Sequence, residues 1–149
     1  MNKTVTELQQ EFRQLRLAET AEELPKLLRQ AEQSSWTYQE FLEQLTAFEL
    51  KKREAKSVEK RLKCARFPYI KSLSEFDIGT QQALTKRKLT QLEELQWLEQ
   101  HYNLILLGPP GVGKTFLAVG LGLEAINKGF HVSFVTMGEL LQLLKTQEY

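Results

Sequence analysis

The chain has 149 residues, 42% hydrophobic and 26% charged, with a formal net charge of +1, an ordinary globular composition that excludes a disordered or uniformly basic polypeptide. Cys64 is the single cysteine, so there is no disulfide framework and no zinc cluster, which suits a reducing cytoplasm. The polar N-terminus lacks a signal-peptide core and no apolar run nears the ~18 residues of a membrane span, so the expected setting is cytoplasmic, without a membrane partner.

Residues 1–66 hold one proline, Pro25, and no glycine, and are rich in Leu, Glu, Gln, Lys and Arg, so helices should dominate. The spacing of Val5, Leu8, Phe12 and Leu15 predicts a helix from Thr4 to about Leu17. Thr20-Ala21-Glu22-Glu23 is a capping-box pattern that predicts a second helix carrying Leu24, Leu27, Leu28 and Ala31, broken at Ser34 and Ser35. A third starts at Thr37-Tyr38-Gln39-Glu40 and runs to about Arg66, with Phe41, Leu42, Leu45 and Phe48 on one side. Together they predict a helical domain over 1–66.

Charge is uneven: residues 1–50 carry −4, residues 51–71 carry +7, and the remainder −2. At about 100° per residue, Lys52, Arg53, Lys56, Lys60 and Lys63 fall within one ~100° sector, opposite Ala55, Val58, Leu62 and Ala65. Such a row fits a nucleic-acid backbone through phosphate contacts without sequence preference. The alternatives are an acidic protein partner or a solvated face. Lys86-Arg87-Lys88 is a weaker cluster of the same kind.

Residues 67–79 form a connector in which Pro68, Ser72, Ser74 and Gly79 oppose helix. It carries Phe67, Tyr69, Ile70, Leu73, Phe76 and Ile78, too apolar for a free linker, so it is expected to dock. Phe76 or Ile78 could lie against a nucleotide base, but ordinary packing is the favoured reading. Thr90-Gln91-Leu92-Glu93 then predicts a helix cap, followed by Leu95, Trp97 and Leu98.

Asn103 to Leu107 reads as a buried strand, entering Gly108-Pro109-Pro110-Gly111-Val112-Gly113-Lys114-Thr115, which fits G-x-x-x-x-G-K-[ST]. A helix over Phe116–Lys128 and a stop at Gly129 follow; His131 to Val135 reads as a second strand, and a capping box at Thr136-Met137-Gly138-Glu139 opens a last helix to about Thr146. The fold class expected for 80–149 is therefore α/β, a βαβ unit with a right-handed crossover. Its glycines let the backbone form an anion cradle at the positive end of the following helix. ATP is the expected guest, gripped by residues 108–116, with Lys114 reaching the β- and γ-phosphates and the Thr115 hydroxyl as one ligand of Mg²⁺.

Hydrolysis needs further parts. Asp77 precedes the loop, Arg87 is the last arginine, and the acids beyond the loop, Glu124, Glu139 and Glu148, lack the strand-end context of a metal ligand. Only 34 residues follow Thr115, so the nucleotide domain is expected to be cut short.

The loop with Phe116-Leu117-Ala118, Glu124-Ala125-Ile126, Gly129 and Val132 to Thr136 resembles the IstB-like ATPases, transposition helpers of bacterial insertion sequences and relatives of DnaC-type helicase loaders. The likeness extends upstream through Phe41-Leu42, Glu49-Leu50 with Arg53, Ala65 to Pro68, Lys71-Ser72-Leu73 and Phe76-Asp77. It implies an AAA+ module using ATP with Mg²⁺, double-stranded DNA and a transposase as partners, and self-assembly in full-length relatives. A helicase loader, or a non-enzymatic DNA-binding remnant with a vacant loop, are the competing readings.

Overall fold

The computed structural model describes residues 3–80 and 84–146. These form helices α1 (Val5–Gln14), α2 (Ala18–Gln33), α3 (Tyr38–Ala65), α4 (Lys86–Glu93), α5 (Gln96–Glu99), α6 (Lys114–Asn127) and α7 (Met137–Thr146), with 3-10 turns at Leu73–Glu75 and Ile78–Thr80. Two compact units divide at Ser57 and Val58, within α3.

Three helix starts are set by local chemistry. At Thr4–Glu7, Thr37–Glu40 and Thr136–Glu139 the threonine hydroxyl accepts the N–H of the glutamate, whose carboxylate accepts the threonine N–H in return. The threonine N–H, and then its hydroxyl, hold each of these three carboxyls below its ordinary pKa.

In the first unit, α2 begins at Ala18, two residues before the expected cap at Thr20, and Leu17 at its N-cap offers no side-chain acceptor. The first-turn N–H groups of a helix need one. Glu49, from α3, supplies it: its Oε2 accepts from the Thr20 N–H at 3.2 Å and from the Thr20 hydroxyl at 2.6 Å. Burial pushes the Glu49 pKa up, but the hydrogen bonds from Thr20 and Arg53 outweigh it and hold the carboxyl below its usual range. The charge thus sits at the positive end of α2. Arg53 donates Nε to Glu49 at 2.7 Å and Nη2 to the Arg16 carbonyl at 2.9 Å, where the chain leaves α1 with φ 60°.

Pro25 lies inside α2, where it has no N–H to offer the carbonyl of Ala21, four residues earlier. Gln9 of α1 fills the vacancy, donating Nε2 to that carbonyl at 2.7 Å. The proline that interrupts α2 therefore creates the polar tie between α1 and α2. Ala21, Leu24, Leu27 and Leu45 form the buried apolar set of this unit.

The second unit is organised on α6. Leu73, Leu89, Leu95, Leu117, Leu121 and Ala125 form its core, with Phe76, Leu106 and Val132 packed against them. The connector lies antiparallel to α6, seated in notches left by glycine. A Cβ on Gly122 would meet Phe67 at 2.8 Å, one on Gly120 would meet Leu73 at 2.3 Å, and one on Gly113 would meet Phe76 at 2.9 Å. Here α4 starts earlier than expected: Thr85, not Thr90, is its cap, and the Thr90 hydroxyl donates back to the Lys86 carbonyl.

The expected α/β class is corrected: the described residues are helical, with turns and irregular segments, and contain no strand or sheet. Parallel strands persist within sheets of several members covered on both faces. Here α6 covers one side only. Leu106 and Val132 pack on its core, whereas Ile105 and Leu107 are 76% and 89% exposed, and the Phe134 N–H donates to the Ala65 carbonyl at 2.8 Å instead of to a neighbouring strand. The βαβ unit read from the two apolar runs is replaced by two irregular segments flanking a helix. No helix among the described residues is long and apolar enough to cross a membrane.

The Gln9–Ala21 bond makes a prediction for urea titration of helicity. Gln9→Ala should destabilise the chain by about 1–2 kcal/mol, the cost of a stranded carbonyl. In a Pro25→Ala background, where the helix supplies its own donor, that cost should largely vanish. An equal cost in both backgrounds would show that Gln9 does not serve this carbonyl.

Candidate phosphate-binding loop

Residues 108–115 leave the Leu106 contact with the core and turn into α6 through two glycines with left-handed backbone, Gly111 at φ 82° and Gly113 at φ 84°. Residues other than glycine pay about 1–2 kcal/mol to sit there. Gly113 is the N-cap of α6, and its carbonyl accepts the Leu117 N–H at 2.9 Å, closing the first turn. Among the described residues no side chain caps this end. The N–H groups of Lys114, Thr115 and Phe116 are therefore the first-turn donors that a helix leaves for an outside acceptor, at the end where its dipole favours negative charge.

Lys114 closes the mouth of the loop. Its Nζ donates to the Gly108 carbonyl at 2.8 Å and the Pro109 carbonyl at 2.6 Å. Pro109, Pro110 and Thr115 are exposed, and Val112 is half-buried, near the position that a Cβ on Gly108 would take. Below lies a cavity of about 200 Å³ lined by Phe76, Leu84, Ile105, Val112, Gly113 and Lys114. That is smaller than the ~300 Å³ at which ligand pockets begin. The loop therefore lies at the surface rather than enclosing a chamber.

The remaining acids are placed elsewhere. Glu124 is half-buried on α6, Glu139 is committed to the start of α7, and Glu148 lies outside the described residues. Asp77 accepts the Gly79 N–H at 2.9 Å. Among the described residues no three His, Cys, Asp or Glu side chains gather as a metal site. Thr115 is thus the residue at the loop whose hydroxyl could reach a cation held by phosphate.

On α3, Lys52, Arg53, Lys56, Lys60 and Lys63 are exposed and several have partners, whereas Arg61 is buried. In the first unit Arg53 pairs with Glu49, Lys56 with Glu19, and Lys52 lies 5.5 Å from the Phe48 ring centroid. In the second, Lys63 pairs with Glu59 at 2.7 Å, and Lys60 is exposed. The hydrogen bonds to Glu19 and Glu59 raise the pKa of Lys56 and Lys63 respectively. Exposed pairs of this kind are weak and screened by solvent.

The aromatic neighbours of Phe116 have no single-motif signal in the sequence. Its ring centroid lies 5.4 Å from Phe76 and 6.5 Å from Tyr69, and the Lys71 ammonium stands 5.8 Å from it. The apolar density of residues 67–79 announced docking, but not that three of them converge on the residue after Thr115.

The family model for IstB-like ATP binding proteins matches residues 10–149. An IS21-like insertion-sequence ATP-binding protein of Bacteroides fragilis is 40% identical over 148 residues, covering 99% of this chain and 56% of the relative. An IS21 ATP-binding protein of Pseudomonas aeruginosa is 36% identical over 138 residues, covering 93% and 52%. An IS5376 ATP-binding protein of Geobacillus stearothermophilus is 33% identical over 131 residues, covering 88% and 52%. The chain spans about half the length of these relatives.

Alanine at either left-handed glycine should cost about 1–2 kcal/mol from backbone strain. Only Gly113→Ala also displaces the Phe76 ring, since space is open at Gly111. Urea midpoints should therefore fall further for Gly113→Ala than for Gly111→Ala. Equal losses would mean that Phe76 does not buttress the loop.

Proposed function

This chain belongs to the IstB-like ATP-binding proteins, and we propose that it binds ATP with Mg²⁺ at residues 108–116 and acts as an insertion-sequence helper on double-stranded DNA with a transposase. The observation that carries the reading is the loop itself: two left-handed glycines deliver the chain into an uncapped helix start, with a lysine at its mouth. On binding, the first-turn N–H groups of α6 take the phosphate oxygens. Lys114 exchanges its two carbonyl partners for phosphate. The Thr115 hydroxyl would be one ligand of Mg²⁺, which when bound would neutralise part of the phosphate charge. What these residues supply is a grip on triphosphate.

Relatives named for insertion sequences favour transposition over helicase loading as the setting. The cations of α3 support the DNA component, since exposed ammonium groups on a helix contact phosphates irrespective of base sequence. Self-assembly, where relatives are longer, belongs to the same proposal.

Two measurements test it. Calorimetric titration should find Mg²⁺-dependent ATP binding that Lys114→Ala weakens roughly 10- to 100-fold, the worth of charge-assisted hydrogen bonds. An unaltered chain that ignores ATP would leave only the remnant reading. For DNA, Lys52→Ala and Lys60→Ala should each reduce the salt slope of duplex binding by about 1. An unchanged slope would remove that lysine from the contact.

A further inference from the structure

Resting on the nucleotide-binding reading, we propose that Tyr69 and Phe116 form the stacking platform for the base of the bound nucleotide. Phe116 follows Thr115 on the first turn of α6, so its ring stands beside the end of the helix that would receive phosphate. The ring touches two aromatic neighbours on different terms. Phe76, which abuts Gly113, is part of the core around α6. Tyr69 is outside that core, 40% exposed, and tilted 47° against Phe116 at 6.5 Å.

The strip from Gly113 through Phe76 and Phe116 to Tyr69 therefore begins at the phosphate end and opens to solvent at Tyr69. Ordinary packing accounts for Phe76. Beyond it, the Tyr69 ring lies beside Phe116 and is open to solvent, preceded by Pro68 and followed by the 60%-exposed Ile70. A nucleoside whose phosphates sit on the loop reaches outward, and its base offers a flat π-face to this strip. Lys71, over the Phe116 ring and 3.9 Å from Glu75, flanks the same surface. Stacking needs no hydrogen-bond pattern, so it favours a nucleotide over a bare polyphosphate.

The test compares two probes on this 149-residue chain with Mg²⁺: ATP and inorganic tripolyphosphate. Tyr69→Ala should weaken ATP about 10-fold, as loss of one stacked ring does, and leave tripolyphosphate unchanged, while Tyr69→Phe should retain the affinity for ATP. Circular dichroism establishes that each variant keeps its helices, and Tyr69→Phe keeps the ring if alanine unsettles the fold. ATP binding that is indifferent to Tyr69→Ala, or equal weakening of both probes, overturns the platform while leaving the loop intact. An unaltered chain that binds neither probe overturns the platform and the loop together.

Discussion

The second unit depends on close approach along one side of α6. Phe67, Leu73 and Phe76 can lie against the helix only because Gly122, Gly120 and Gly113 present backbone where a side chain would stand. Glycine inside a helix costs up to ~1 kcal/mol relative to alanine. At Gly120 that is outweighed, since a Cβ 2.3 Å from Leu73 would force apart a contact at the centre of the core. The same docking carries the loop, because its last glycine rests on Phe76 and the helix start beneath it is fixed by the connector.

The first unit solves a different problem, the satisfaction of backbone groups at irregular points of α2. Its N-terminus lacks a local cap and Pro25 orphans a carbonyl in its interior. Both are met from other helices, by Glu49 and by Gln9. The helix is thereby completed by its neighbours. Apolar contact among Ala21, Leu24, Leu27 and Leu45 would tolerate sliding. Two directional hydrogen bonds to particular backbone atoms do not.

What could be read in the sequence follows the distance over which each interaction acts. The capping box at Thr136 and the helix starts at Thr4 and Thr37 are legible because both partners lie within four residues. Thr20 fits the same pattern, yet its carboxylate partner is Glu49, 29 positions away, and the helix starts upstream of it. Helix ends at Arg16 and His101 are poorly marked, because each takes left-handed backbone without being glycine, whereas the break at Ser34 and Ser35 and the stop at Gly129 are plain in the sequence. Residues 103–107 and 131–135 have strand-like composition, but a ladder is a relation between segments that composition does not contain. The glycine spacing of the loop and the helix after it were visible locally; the convergence of Tyr69 and Lys71 on Phe116 depends on the connector running antiparallel to α6.

The two carbonyl bonds of Lys114 bear on the energetics of the loop. An ammonium group already satisfied by Gly108 and Pro109 is not a bare charge waiting in water. Ligand capture there is a trade of partners, so the heat released should be smaller than a tally of newly formed contacts implies, with the shortfall tracking the two surrendered bonds.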